Sequence, residues 1–320
     1  MFIQIIVLII GFVVLIKGAD IFVDGASSTA RNFNVSKMLI ALTIVAFGTS
    51  APEFAISIKS FIASNTDMVL GNVVGSNILN VLLILGASSV IYDLKVKDNT
   101  VRKEIPIVVL ISTLLIVLVS DGLFDKGINN YITRSDGIVI ILFFLVFVYY
   151  LFSVMRHKTD KEEIVEEDPP KYKMGKSILY TLLGMAGIIL GSNFVVDSAS
   201  FIADSLGVSQ RMISLTVVAF GTSLPELVTS VVAAIKHESD IAIGNIVGSN
   251  IFNIGLVLGL PVAMFGGFST AGFSYVDISM LFISALLLYI FCKNDRKITR
   301  SEGIIFLLVF VAYYSYVIVG

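Results

Sequence analysis

The chain has 320 residues, of which 56% are hydrophobic and only 14% are charged, whereas a typical soluble domain carries about 25% charged residues. A mean hydropathy of +0.94 therefore excludes a water-soluble globule. The net charge of −2 provides no basic surface for nucleic acid. A single cysteine, Cys292, excludes a disulfide framework or a multi-cysteine metal cluster. His157 and His237 stand beside charged residues in predicted loops, so we expect neither a histidine-based enzyme nor a zinc site.

Apolar stretches close to the ~20 residues needed to cross a bilayer recur along the chain. The first lacks the positive flank of a cleaved signal peptide, so we interpret it as a retained membrane helix. The predicted spans are 3–24, 36–63, 67–92, 104–121, 136–155, 176–203, 209–235, 239–265, 273–292 and 301–319. We therefore predict an all-α membrane protein with ten transmembrane helices.

The basic residues predict the orientation, because cytoplasmic loops carry an excess of Lys and Arg. With the amino terminus outside, 17 of the 22 basic residues face the cytoplasm and four face outward. Both termini are thus predicted outside the cell membrane. The hydrophilic residues 156–175 form a predicted cytoplasmic linker. Its acidic run at 162–168 is interpreted as a solvated connection, with a regulatory ion site as the alternative.

Internal repeats are the most informative feature of the sequence. Two motifs recur at an offset of 173 residues and a third recurs at an offset of 166. The matched segments are 42–53 with 215–226, 71–80 with 244–253, and 133–138 with 299–304. Each predicted half, 1–155 and 176–320, holds five spans, so the second half must enter the membrane with inverted topology. Inverted five-helix repeats are typical of secondary transporters, whose sites lie at mid-membrane on interrupted helices.

One acid stands near the middle of a predicted span in each half, Glu53 and Glu226. An ionised carboxylate there costs at least ~2.5–3.5 kcal/mol, so such a residue indicates function. A structural carboxylate would need a buried basic partner, and Lys17, the only basic residue not assigned to either side of the membrane, cannot serve both acids. The motifs could alternatively serve helix packing, since Gly, Ser, Thr and Asn also suit tight membrane interfaces. Packing alone does not require an acid.

A proline, Pro52 or Pro225, precedes each acid. Proline lacks an N–H and clashes with the carbonyl four residues earlier, so we predict that each helix is interrupted and frees carbonyls around 46–49 and 219–222. Hydroxyl and amide oxygens recur at helical spacing in both halves: Ser50, Ser57, Asn72, Ser76 and Asn80 in the first, with Ser223, Asn245, Ser249 and Asn253 in the second. An all-oxygen donor set favours hard cations over zinc, copper or iron. Two bidentate glutamates and the carbonyls of Thr49 and Thr222 supply about six of the 6–8 oxygens that Ca2+ takes, whereas Mg2+ dehydrates reluctantly.

Gly-Thr-Ser-x-Pro-Glu paired with Gly-Asn-x-x-Gly-Ser-Asn-Ile-x-Asn, in two copies, resembles the α-repeats of the sodium/calcium exchanger family. The resemblance implies alternating access, with the first and sixth spans sliding over a fixed core. It also implies a calcium site at Glu53, Glu226 and the carbonyls of Thr49 and Thr222. The implied sodium sites are Ala46, Ser50, Glu53 and Ser249 on one side and Ala219, Ser223, Glu226 and Ser76 on the other. Asn80 and Asn253 would close the centre, where some members carry an aspartate in place of Asn253.

The function expected from these observations is export of Ca2+ in exchange for Na+, with transport independent of K+. By the same resemblance, more than two Na+ are exchanged per Ca2+, which makes the cycle electrogenic. A H+/Ca2+ exchanger is the nearest alternative, followed by a cation channel. An intramembrane hydrolase is disfavoured because neither Ser50 nor Ser223 has a basic partner within its motif. We expect no cofactor and a monomer in the lipid bilayer.

Four further charged residues lie within or near the two predicted sliding spans: Lys17, Asp20, Asp24 and Asp197. They could line the mouth of an ion path, or they could extend from the helix ends into the aqueous interface. The sequence does not decide between these interpretations, so we leave these residues out of the predicted site.

Overall fold

The computed structural model describes residues 1–124, 129–156, 169–207, 219–270 and 274–319, most of which are helical. The helices are α1 (Phe2–Asn32), α2 (Lys37–Ile40), α3 (Ala46–Thr49), α4 (Ala51–Ile62), α5 (Thr66–Leu79), α6 (Gly86–Ile91), α7 (Ile105–Val119), α8 (Asp121–Phe124), α9 (Arg134–Arg156), α10 (Met174–Ser205), α11 (Ala219–Thr222), α12 (Leu224–Ile235), α13 (Ser239–Phe252), α14 (Gly259–Phe265), α15 (Tyr275–Asp295) and α16 (Arg300–Val319). Between some of these helices the chain continues as π-helix, at Ala41–Val45, Asn80–Leu85, Thr100–Glu104 and Asn253–Leu258.

The membrane-spanning character of the fold is clear from these helices. Within the described residues, seven helices are long and apolar enough to cross a membrane, or eight if the bent pair Lys37–Thr49 and Ala51–Ile62 is one span. The start of the predicted seventh span and the acidic run lie outside the described residues. The all-helical membrane fold is confirmed, whereas the count of ten spans stays a prediction.

Burial separates inner helices from outer ones. The most hydropathic windows of Met68–Ile91 and Ser239–Phe265 are 72% and 78% buried, against 17–33% for the five other long apolar helices. The outer helices expose large apolar side chains, for example Leu142, Leu182 and Leu308, which suits contact with lipid. The helices that carry the second repeated motif therefore form the centre of the protein.

Helices α1 and α10 pack closely along their length. A Cβ atom on Gly18 would lie 2.8 Å from main-chain atoms of Gly187 and Ile188, and one on Gly184 would lie 2.5 Å from the Phe22 nitrogen. Small residues allow such close approach of helix backbones in membranes. Helix α1 continues to Asn32, eight residues beyond its predicted end at residue 24.

The third repeated motif caps two helices. In the first copy, the Thr133 nitrogen donates to Asp136 Oδ2 at 2.7 Å, and the Asp136 nitrogen donates to Thr133 Oγ1 at 3.2 Å. In the second copy, Thr299 and Glu302 make the same reciprocal pair at 2.7 and 3.3 Å. Each pair is a capping box that satisfies main-chain donors at a helix start. This repeat therefore sets the beginnings of α9 and α16.

Two short strand pairs join the halves of the chain. Strand β1 (Leu94–Lys95) pairs antiparallel with β4 (Lys297–Ile298). Strand β2 (Tyr131–Ile132) pairs antiparallel with β3 (Phe268–Ser269). Each pair takes one strand from before residue 155 and one from after residue 176, so the two halves are interlocked by main-chain hydrogen bonds.

Candidate functional site

Each copy of the first motif interrupts its helix. Helix α3 ends at Thr49 and α4 begins at Ala51, and the helical segments on either side of Ser50 differ in direction by 44°. In the second half, Ser223 separates α11 from α12. In each copy the proline lies in the first turn of the new helix, where its missing N–H costs nothing. The structure therefore shows the predicted interruption in both halves.

Both glutamates lie in the first helical turn after the interruption, and each is only 1% exposed. None of the ion pairs among the described residues involves Glu53 or Glu226. The partial positive charge of a helix N-terminus stabilises a carboxylate in this position. Two buried acids without a basic partner are thus held close to two helix ends.

Ser50 and Ser223 each bind the glutamate of the opposite half, whereas Ser249 binds the glutamate of its own half. Ser50 Oγ donates to Glu226 Oε1 at 3.1 Å, and Ser249 Oγ donates to the same oxygen at 3.3 Å. Ser223 Oγ lies 3.4 Å from Glu53 Oε1 and 3.3 Å from Ser76 Oγ. The predicted residues are therefore brought together, but the hydrogen bonds pair serines and glutamates differently from the predicted sodium sets.

The difference concerns which acid joins which pair of serines. The sequence grouped Ser50 and Ser249 with Glu53, and Ser223 and Ser76 with Glu226. In the structure Ser50 bonds to Glu226 and Ser223 bonds to Glu53, because each interrupted helix points its serine across the interface between the halves, and Ser249 also bonds to Glu226. The sodium sets themselves stay a prediction.

Two asparagines of the second motif hold the main chain of the glutamates. Asn72 Nδ2 donates to the Glu53 carbonyl at 3.2 Å, and Asn245 Nδ2 donates to the Glu226 carbonyl at 3.4 Å. Thr49 Oγ1 in turn donates to Asn245 Oδ1 at 2.9 Å. These contacts fix the first turn of α4 and α12 against the central helices. The main chain of both glutamates is thereby held in place.

Four buried oxygens of the site have no hydrogen-bond partner among the described residues: Glu53 Oε2, Glu226 Oε2, Asn80 Oδ1 and Asn253 Oδ1. They form two pairs related by the 173-residue offset. A buried acceptor without a partner costs about 1–3 kcal/mol, and more when it is charged. A cation that bound all four would remove that cost.

The remaining predicted residues are placed as follows. Ala46 is fully buried, and its carbonyl accepts from the Ser50 nitrogen at 3.0 Å and from Thr49 Oγ1 at 3.3 Å, so this carbonyl is not freed by the interruption as predicted. Thr222 is buried in α11, and for Ala219 only the main chain is described. Within the described residues, no group of three or more His, Cys, Asp or Glu side chains could hold a metal ion. A cation here would be held by two carboxylates and neutral oxygens, which is chemistry for Na+ or Ca2+ rather than for a transition metal.

Sequence reasoning did not single out Asn77 and Asn250, which are 0% and 2% exposed beside the site. Asn80 Nδ2 donates to Asn250 Oδ1 at 2.9 Å, and Asn253 Nδ2 donates to Asn77 Oδ1 at 3.0 Å. Their recurrence in both motif copies, three residues before Asn80 and Asn253, is the signal that could have identified them.

Two charged residues of α1, Asp20 and Asp24, form ion pairs in the structure. Lys236 Nζ, at the end of α12, contacts Asp20 Oδ1 at 2.8 Å and Asp24 Oδ1 at 2.7 Å. Lys171 Nζ reaches the other oxygen of Asp24 at 2.5 Å, and this hydrogen bond raises the pKa of Lys171. We call Asp20, Asp24, Lys171 and Lys236 the α1 ion cluster. Lys17 and Asp197 are exposed on their helices.

A second contact fastens α1 nearby. Ser27 Oγ donates to Glu238 Oε1 at 3.0 Å, and Glu238 also pairs with Lys37 at 2.9 Å. The carboxyl-terminal part of α1 is thus tied to the α12–α13 connection at two points. Helix α10 contacts the interrupted helix directly, because Ser192 Oγ donates to the Gly221 carbonyl at 3.0 Å.

Comparison with known proteins gives consistent results over nearly the whole chain. The sequence matches the model of the sodium/calcium exchanger protein family over residues 3–153 and 176–319. It is 32% identical to the sodium/calcium exchanger MaX1 of Methanosarcina acetivorans, with 96% of each chain covered. It is 34% identical to the inner membrane protein YrbG of Escherichia coli, with 93% of this chain and 91% of YrbG covered.

The fold is also similar to that of a solved protein. A structure of the sodium-calcium exchanger NCX_Mj, soaked with 10 mM Na+ and zero Ca2+, superposes with a TM-score of 0.83. The two chains are 32% identical, and 98% of each is covered. This likeness therefore extends over both halves of the chain and includes the interrupted helices.

Proposed function

The chain belongs to the sodium/calcium exchanger protein family, and from this premise we propose that it exports Ca2+ from the cytoplasm in exchange for Na+. Family membership makes it a multi-pass membrane protein and a cation/Ca2+ antiporter rather than an enzyme. The observation that carries the proposal is the symmetric set of four buried oxygens on Glu53, Glu226, Asn80 and Asn253, none of which has a hydrogen-bond partner among the described residues.

Charge and donor type support Ca2+ as the ion at the centre of this set. Two ionised carboxylates carry two negative charges, which one Ca2+ neutralises. Ca2+ accepts 6–8 oxygens in flexible geometry, and the carbonyls of Thr49 and Thr222 complete the proposed calcium site. Asn80 and Asn253 contribute neutral amide oxygens, so the centre has no further acid to balance a K+ ion. We therefore propose transport without K+.

The serines support the two flanking sodium sites. Ser50 and Ser249 converge on one oxygen of Glu226, while Ser223 and Ser76 converge near Glu53. With the main-chain carbonyl of Ala46 in the first group and that of Ala219 in the second, each group offers the hydroxyl, carboxylate and carbonyl oxygens that a monovalent cation needs. One Ca2+ at the centre balances the two negative charges of the acids, whereas Na+ ions at the centre and at both flanking sites carry more positive charge than the two acids balance. We therefore propose more than two Na+ per Ca2+ and net movement of charge.

The architecture supports alternating access. Helices α1 and α10 form a closely packed pair that contacts the interrupted helices from one side. We propose that this pair slides over a core of eight spans and opens the site to each side in turn. In that arrangement, residues 1–155 and 176–320 are inverted five-helix repeats, joined by the cytoplasmic linker 156–175.

The location follows from the same arrangement. The ion pairs Lys97–Asp240 and Arg296–Asp98 join residues in loops, or at a helix start beside a loop, that are predicted to be cytoplasmic. The excess of positive charge in these loops supports a cytoplasmic location for this end, and with it we propose that both termini lie outside the cell. Both halves of the site come from one chain, which supports function as a monomer in the lipid bilayer.

The decisive experiment is uptake of radioactive Ca2+ into proteoliposomes, driven separately by an outward Na+ gradient and by a pH gradient. We expect the Na+ gradient alone to drive uptake. The matched control is Glu53→Gln, which keeps the shape of the side chain and removes its charge.

Three outcomes would contradict the proposal or its site. Uptake driven by the pH gradient and not by Na+ would make the protein a H+/Ca2+ exchanger on the same fold. Ca2+ flux that needs no counter-ion would indicate a channel. Equal uptake by the wild type and Glu53→Gln would remove the glutamate from the site.

A further inference from the structure

Two asparagines that lie behind the proposed site join the halves of the protein. Asn77 Nδ2 donates to the Asn250 carbonyl at 3.1 Å, and Asn250 Nδ2 donates to the Asn77 carbonyl at 3.4 Å. With the bonds from Asn80 and Asn253 described above, this makes four hydrogen bonds that cross from one half to the other. We call Asn77 and Asn250 the asparagine clamp.

The clamp imposes a direction on each amide. A main-chain carbonyl only accepts hydrogen bonds, so Asn77 must turn its NH2 group toward the Asn250 carbonyl. Its Oδ1 is then the atom left to face Asn253, which must answer with its own NH2 group. The Asn253 oxygen consequently points away from the clamp, where it has no partner among the described residues. The same reasoning holds for Asn250 and Asn80.

This direction matters because the two ends of an asparagine amide are nearly equal in size. Packing alone therefore cannot decide whether oxygen or NH2 faces a ligand. A cation is attracted by the oxygen and repelled by the NH2 group, and a reversed amide could instead donate to a nearby carboxylate. A charge-assisted bond of that kind would compete directly with the cation.

We propose that Asn77 and Asn250 are positioning residues, which orient the amide oxygens of Asn253 and Asn80 toward the transported cation. The inference rests on the proposed function, since it assumes that Asn80 and Asn253 bind the ion. The clamp acts across the halves: Asn77 orients Asn253 of the other half, and does not orient Asn80, which lies three residues away on its own helix. Each half thus determines whether the oxygen or the NH2 group of the other half's amide faces the ion.

The test measures Ca2+ affinity by isothermal titration of the full-length protein in detergent. Asn77→Leu keeps the branched shape of the side chain but removes both contacts, and we expect about tenfold weaker Ca2+ binding, which corresponds to ~1.4 kcal/mol. Asn77→Asp still accepts from Asn253 in either protonation state, so its Ca2+ affinity should equal or exceed that of the wild type. If Asn77→Leu does not fold, Asn77→Ala replaces it in the comparison.

A double-mutant cycle separates positioning from a general structural effect. In an Asn253→Ala background the loss caused by Asn77→Leu should disappear, because no amide remains to be oriented. In an Asn80→Ala background the loss should persist. Equal losses in both backgrounds, or equal weakening by Asn77→Asp and Asn77→Leu, would overturn the inference.

Wild-type protein and Glu53→Gln in the same titration distinguish failure of the clamp from failure of the proposed function. If the wild type binds Ca2+, Glu53→Gln does not, and Asn77→Leu binds normally, the clamp is wrong and the site stands. If the wild type binds no Ca2+, the proposed function fails and the inference fails with it.

Discussion

Removing one charge from the site is the most direct test of its chemistry. Glu226→Gln preserves the acceptor for Ser50 and Ser249 and changes only the unpartnered oxygen and the charge. A carboxylate about 4 Å from a divalent ion attracts it by about 8 kcal/mol at an effective dielectric constant near 20. Most of this attraction is offset by lost hydration. If about a third of the attraction remains after this offset, its loss in Glu226→Gln costs ~2.7 kcal/mol and weakens Ca2+ binding about a hundredfold.

The assay is isothermal titration in detergent together with a thermal unfolding curve. Because an unpaired buried charge is removed, we expect Glu226→Gln, and likewise Glu53→Gln, to express and fold at least as well as the wild type while losing Ca2+ transport. The matched control is Glu104→Gln: Glu104 is 5% exposed and accepts from Tyr150, but lies outside the site. Wild-type Ca2+ affinity in Glu226→Gln, or an equal loss in Glu104→Gln, would refute the reasoning.

Four further outcomes are expected. Ser76→Ala and Ser249→Ala should weaken the Na+ dependence of transport more than they weaken Ca2+ binding in a titration, and an equal loss of both would make these serines packing residues. Na+-driven Ca2+ flux in proteoliposomes, measured at a series of clamped voltages, should depend on voltage and not on K+; stimulation of the native protein by K+, or insensitivity to voltage, would contradict this. Asn253→Asp should raise the affinity of the centre for monovalent ions or protons, because an added carboxylate must be paired or protonated. Lys236→Met should accelerate hydrogen exchange in the last turns of α1, since it removes the ion pairs to Asp20 and Asp24. Lys17→Met, at an exposed position of α1, should leave this exchange unchanged. Unchanged exchange in Lys236→Met would show that the α1 ion cluster does not hold α1 in place.

Local features of the site could be read from the sequence because their causes are local. Proline at 52 and 225 interrupts a helix through its own ring and its missing N–H, and the structure shows both interruptions at the predicted turn. The membrane fold could also be predicted from the sequence, because each apolar stretch is by itself long enough and apolar enough to require a lipid environment. The duplication was visible because both copies kept the residues at a constant offset.

Contacts between the halves were decided only by the tertiary structure. The sequence put Ser50 with Glu53 three residues away, whereas the folded chain pairs it with Glu226, 176 positions along. The clamp asparagines escaped notice because an asparagine beside a glycine and a serine also suits ordinary helix packing.

The same holds for the α1 ion cluster, whose partners are 212 residues apart at Asp24 and Lys236. Hydroxyls, amides and charges each have many acceptable partners, and spacing along one helix shows which of them share a face but not what that face meets. The sequence therefore determined the membrane fold, the interruptions and the donor types. Only the packing of one half against the other decided which donor faces which acid.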